Sequence, residues 1–120
     1  MADAQAQEKM RSLSEEYTKL QQEQQTLIGN QQRLNAQKTE NEGVKKEFEK
    51  LKEGEVIYKM VGPVLLKQET FEADSTVKGR LDFIEKEMTR LEDEIQESNG
   101  KMDKIKDQIM AMQAPPQAAA

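Results

Sequence analysis

The stretch Val56-Ile57-Tyr58-Lys59-Met60-Val61-Gly62-Pro63-Val64-Leu65-Leu66-Lys67-Gln68 decides the fold. Residues 56–61 form an apolar, β-branched run of strand length. Gly62-Pro63 is a turn dipeptide, and residues 64–68 return as a second strand. Strict alternation is missing, so both faces of each strand carry apolar groups. Strands of that kind are normally covered on both sides. The rest of the chain offers nothing to cover the second face, so the segment needs partners.

Working outward, a heptad ladder flanks the hairpin on each side. The first holds Met10, Leu13, Tyr17, Leu20, Leu27, Leu34 and Phe48. The second holds Val77, Leu81, Ile84, Met88, Leu91, Ile95, Met102, Ile105, Ile109 and Met112. Steps of three and four are the spacing of a coiled-coil seam. Gln24, Gln31, Lys38, Asn41 and Lys45 fill further seam positions of the first ladder. They weaken pairing but favour one register. Ser98 is the polar exception in the second.

These ladders predict helix 1 over 6–51 and helix 2 over 74–112. Gly54 is a candidate left-handed cap of helix 1. Thr70, Asp74 and Ser75 are candidate N-caps of helix 2. A disordered tail is expected over 113–120, where Pro115-Pro116 stops the helix. Folding at the Gly-Pro turn sets the helices antiparallel, with Leu20 level with Ile105 and Leu13 level with Met112. The expected fold class is mainly α: one domain over 1–120, a long antiparallel two-helix coiled coil with a short β-hairpin between the helices. Gly29-Asn30 and Asn99-Gly100 fall at one level, beside Ser98, and predict a flexible joint there.

Composition narrows the function. Of 120 residues, 35% are hydrophobic and 34% charged, with no Trp. That suits narrow helix stripes and not a sizeable globular core. The net charge of −5 comes without a basic block, which argues against a nucleic-acid surface and against an RNA-binding arm. Cysteine and histidine are absent. No thiolate nucleophile is available, and the commonest general base and metal ligand are missing. Paired acids such as Glu47 with Glu49, or Glu85 with Glu87, sit on solvated helix faces with no pocket to shift a pKa. No phosphate loop is present. No enzyme activity, cofactor or metal is expected. Residues 1–8 are polar, unlike a secretory signal. No run approaches the roughly 20 apolar residues of a membrane span. A soluble protein inside the cell, in the cytoplasm, is the plain expectation.

Two sites follow. The assembly hairpin comprises Val56, Ile57, Tyr58, Met60, Val61, Val64, Leu65 and Leu66. An isolated two-stranded hairpin is marginal in water, and its open edges invite pairing. The other reading makes it a simple connector. The second site is the free helix end: Met10, Leu13, Tyr17, Met102, Ile105, Ile109, Met110 and Met112. Some of these must pack in the seam. Methionine, however, adapts to irregular partners, and Met110 falls outside the seam register.

At residues 58–69, and again at Arg80-Leu81-Asp82-Phe83-Ile84-Glu85, the chain resembles the β-class subunits of prefoldin. Lys19-Leu20-Gln21, Glu40-Asn41 and Val44-Lys45-Lys46-Glu47 are similar to family segments too. The likeness covers nearly the whole chain and is most specific in the strand–Gly–Pro–strand block. The chain departs from the pattern at Asp74, where a basic residue is usual, and at Lys78-Gly79, where the order is usually reversed. The resemblance implies a hetero-hexamer of α- and β-class prefoldin subunits, joined through their hairpins into a platform. It implies coiled-coil arms whose tips hold unfolded clients such as actin and tubulin. It also implies delivery to the cytosolic group II chaperonin without ATP, and no nucleic acid or membrane partner. The competing function is a structural or tethering coiled coil with one specific partner.

Overall fold

A computed structural model gives the structure of the chain and describes residues 2–113. The element order is α1 (Ala2–Glu49), β1 (Ile57–Val61), β2 (Val64–Gln68) and α2 (Thr70–Gln113). Glu, Gln, Lys, Leu and Met dominate both helices and favour that state. Burial follows the two ladders. In α2, Val77, Ile84, Leu91, Ile95 and Ile105 are buried, and Leu81, Met88, Met102, Ile109 and Met112 are half-buried. In α1, Leu13 and Leu20 are buried, and the polar seam residues Gln24, Gln31, Lys38, Asn41 and Lys45 are half-buried.

Backbone contacts divide the chain into two compact units: Met1–Gln31 with Leu91–Ala120, and Gln32–Arg90. In the first, Leu13, Leu20 and Ile105 form the core, with Tyr17, Met102, Ile109 and Met112 packed against it. The helices run antiparallel. Gln24 donates to Asn99, and one heptad further along α1, Gln31 donates to Glu92 at 3.0 Å, one heptad back along α2. Both helices pass unbroken through Gly29 and Gly100. Ser98 is buried at 7% exposure, and its Oγ has no hydrogen-bond partner.

The second unit contains the hairpin. β1 and β2 pair antiparallel, from Ile57 opposite Gln68 to Val61 opposite Val64. Gly62 and Pro63 make the two-residue turn. Gly62 has φ +59°, and Pro63 is confined to negative φ. That combination excludes a type I′ turn and fits type II′, which suits strand twist. Beside the hairpin, Ala73, Val77 and Ile84 form the buried stripe of α2.

Several element boundaries differ from the sequence reading. Helix 1 begins at Ala2, not at 6, and β1 begins at Ile57, which leaves Val56 outside the strand. Helix 1 ends at Glu49, not at 51. Lys50 N–H is shared between the Lys46 and Glu47 carbonyls, and Leu51 N–H turns to Phe48 at 3.2 Å, so the last turn tightens and stops. Gly54 is therefore not the helix cap. It lies in a turn closed by Glu55 N–H to the Lys52 carbonyl at 3.1 Å, and its φ of +91° is the third-position geometry of a type II turn. Helix 2 begins at Thr70, not at 74. The Glu69 carbonyl accepts the first helical bond, from Ala73 N–H at 3.0 Å, so Glu69 takes the N-cap position and Thr70, Asp74 and Ser75 are helical. The earlier start lets Ala73 join the buried stripe. Gln113, expected in the tail, closes α2. The remainder of that expected tail, 114–120, lies outside the described residues.

Candidate functional site

The hairpin presents two apolar faces because side chains alternate along each strand. Tyr58, Met60, Leu65 and Lys67 share one face, and Ile57, Lys59, Val61, Val64, Leu66 and Gln68 the other. Of the hairpin candidates, Ile57 alone is half-buried. Val56, Tyr58, Met60, Val61, Val64, Leu65 and Leu66 are all exposed. Fully burying a side chain of this size is worth about 1.5–3 kcal/mol. Association costs roughly 4–15 kcal/mol in lost freedom. One such contact is therefore too weak, and a surface of seven is of the right magnitude.

The helix-end candidates divide by depth. Leu13 and Ile105 are core, and Tyr17, Met102, Ile109 and Met112 pack against them. Met10 is half-buried. Met110 is 58% exposed, as its off-register position requires. Asp3, Ala6, Gln7, Met10, Arg11 and Met112 line a shallow groove of about 450 Å³. Its floor is methionine and its rim is charged. Arg11 reaches Glu8 at 3.3 Å and Glu15 at 3.8 Å, ion pairs too exposed to lock the groove. The structure thus brings Met10 and Met112 together at a surface and leaves Met110 outside them.

Among the described residues no group of His, Cys, Asp and Glu could hold a metal ion. No helix there is long and apolar enough to cross a membrane. Among the described residues, Lys78 and Glu87 shift. Asp74 accepts a hydrogen bond from Lys78 at 2.8 Å and raises the lysine above its ordinary value. Arg90 donates to Glu87 at 2.8 Å and lowers that carboxyl. The first pair joins the two positions where the sequence departs from the prefoldin pattern. Acid four residues before lysine is the favourable order on a helix, so the two departures answer each other.

Sequence reasoning missed two residues. Phe71 is 77% exposed at the start of α2, and Phe83 is 63% exposed beside the buried Ile84. The signal was present in both: a large apolar residue out of the seam register, the same sign that singled out Met110.

Two long helices joined by a two-stranded antiparallel hairpin define the fold of the prefoldin β class. The crystal structure of the prefoldin beta subunit from Thermococcus strain KS-1 matches with a TM-score of 0.84 at 24% identity, over 90% of this chain and 95% of that one. Residues 11–115 match the family described as Prefoldin subunit. Prefoldin subunit 6 of Saccharomyces cerevisiae is 37% identical over 103 residues, covering 86% of this chain and 90% of that protein. Prefoldin subunit 6 of Homo sapiens is 36% identical over 107 residues, covering 89% and 83%. The chain belongs to the prefoldin subunit family, and is thereby a subunit of a prefoldin chaperone that works in complex with other prefoldin subunits.

Proposed function

We propose that this chain is one subunit of a hetero-hexameric holding chaperone of the cytoplasm that works without nucleotide and without catalysis. Residues 56–68 join it to α- and β-class prefoldin subunits. The helix end around Met10, Met110 and Met112 holds unfolded chains of the actin and tubulin type, with the seam residues Leu13, Tyr17, Met102, Ile105 and Ile109 behind them. The held chains pass to the group II chaperonin.

The observation that carries this reading is the hairpin. It is a folded two-stranded ribbon with apolar side chains exposed on both faces, and such a ribbon is not stable in water by itself. Its membership of the prefoldin family supplies the kind of partner. The methionine groove supports the second half of the reading, since thioether side chains adapt to varied apolar segments. One groove binds weakly. Several subunits around one client raise the effective concentration and give useful avidity while still allowing release.

The test uses the assembled complex. Deleting 1–17 together with 99–120 should abolish suppression of client aggregation, measured by light scattering without nucleotide, and leave the assembly mass otherwise intact. Equal protection by the trimmed complex would remove the helix end from the account. A chain whose mass never exceeds that of a monomer or simple dimer would favour the tethering coiled coil instead.

A further inference from the structure

Among the described residues, twelve large apolar side chains are exposed, and all but Ile28 and Met110 belong to the unit Gln32–Arg90. The hairpin accounts for seven of those ten. The others are Val44, Phe71 and Phe83, on the helices of the same unit. Apolar exposure therefore does not stop where the strands stop.

Phe83 is the member with a formed surface around it. At 100° per residue, Ala73, Val77 and Ile84 point one way from α2, into the buried stripe. Thr76, Gly79, Arg80 and Phe83 lie on one flank of that stripe, and Phe71, Asp74 and Lys78 on the other. On the Phe83 flank, α1 contributes Gln37 and Asn41, and the two helices enclose a groove of about 490 Å³. Ile84 is its apolar floor. Gly79 lines it with bare backbone, and a Cβ added there would meet nothing within 4 Å, so the surface beside Phe83 is uncovered. Glycine costs about 1 kcal/mol in a helix interior, and this chain's own packing gives no return for it.

Resting on the reading of the hairpin as an assembly element, we infer that the Phe83–Gly79 groove is a second subunit interface, covered by the helix base of a neighbouring prefoldin subunit. Continuity selects that occupant. The groove belongs to the same compact unit as the hairpin, about 15–20 Å along α2 from its first residue, within reach of the helices of a chain docked on the ribbon. The helix-end groove that holds clients belongs to the other unit. An exposed aromatic next to a glycine gap is the knob and hole of a helix-to-helix contact, and aromatic residues dominate the energetics of interfaces. The rim of Gln37, Asn41, Thr76 and Arg80 is polar, as the edge of a protein–protein contact should be.

The experiment uses the complex purified with its natural partners. A benzophenone amino acid is placed at position 83, with Lys104 as a control position, and the complex is irradiated without client. The expected product has the mass of this chain plus one other prefoldin subunit, from position 83 and not from 104. Two variants carry the energetics. Phe83→Ala should shift the dissociation midpoint of the complex by tenfold or more in concentration. Gly79→Gln should do the same without lowering the helicity of the free chain, because the groove has room for the side chain and glutamine is the better helix former. A complex that stays intact, gives no subunit product and dissociates like wild type in both variants overturns this inference and leaves the hairpin reading standing. A product formed only after unfolded protein is added also overturns it, since the face would then belong to clients. Failure to find any multi-chain complex defeats the hairpin reading and this inference with it.

Discussion

Met60 and Leu65 stand directly opposite one another across the hairpin, one 74% and the other 59% exposed. Cross-strand neighbours of this kind normally stabilise a sheet by covering each other against a core. Here there is no core on that side. Turning the strands over does not help, because Val61 opposite Val64 repeats the arrangement on the other face. No register slip could hide both faces at once. The ribbon is apolar where an isolated ribbon should be polar, and that is intelligible as half of an interface.

Substituting Leu65→Asp together with Ile57→Asp should release the chain from the prefoldin complex. Each change sets a carboxylate into a surface that must be desolvated, which costs several kcal/mol when unpaired. Far-ultraviolet circular dichroism should remain helical, because both positions lie outside the helix seams. Size-exclusion chromatography with light scattering reads the outcome. Retention of the double variant in the full assembly would show that the hairpin is a connector.

At the helix end, depth should separate stability from client holding. Met110→Glu should leave thermal stability within about 0.5 kcal/mol, as is usual for exposed positions, and should weaken aggregation suppression. Leu13→Ala removes a buried seam side chain and should cost about 2–3 kcal/mol. Thermal melts beside light-scattering assays distinguish the two. Identical behaviour of the two variants in both assays would mean that the end is a single packed element with no separate binding surface.

Ser98→Ala should stabilise the chain. The hydroxyl is buried without a partner, an arrangement that costs about 1–3 kcal/mol, and alanine is the better helix former. The gain should be about 1–2 kcal/mol. Amide exchange around Asn99 and Gly100 should slow in the variant. Unchanged or faster exchange would mean that the hydroxyl is satisfied in solution.

Two exposed pairs set the pH response. The Glu87 carboxyl is held below its ordinary 4.5 by the hydrogen bond from Arg90. Its contribution is therefore present above 4.5 and lost as the pH falls through the lower folded value. Lys78 is held above its ordinary 10.5 by Asp74, so its contribution is present below 10.5 and lost as the pH rises through the higher folded value. Glu87→Gln should melt slightly below wild type at pH 6, and the gap should close under acid. Lys78→Gln should show the mirror image, with the gap closing in strong alkali. Gaps constant across the whole range would remove these pairs from the stability account.

Much of the fold was legible because heptad spacing and the Gly-Pro turn are local signals. Leu13, Leu20, Ile84 and Ile105 were placed in the seam from spacing alone, and all are buried. The turn and the return strand were legible for the same reason: Pro63 fixes the turn and the register follows from it, while β1 starts one residue later than read, at Ile57. Helix boundaries were less so. Thr70 and Phe71 carry no strong helix preference, and their helical state follows from Ala73 and Val77 packing into the stripe, which is a tertiary effect. Gly54 misled because glycine serves helix caps and turns alike. Of the candidate sites, Met110 was legible as an apolar residue out of register. Phe83 carries the same mark but stands next to Ile84, and its neighbour's place in the seam concealed it.

Native mass spectrometry of the complex purified from its source is the most direct test of the claim that the hairpin belongs to an assembly. The account predicts a six-chain species that contains this chain once, together with other prefoldin subunits. A stable lone protomer, with Met60 and Leu65 buried against its own two helices, would contradict it.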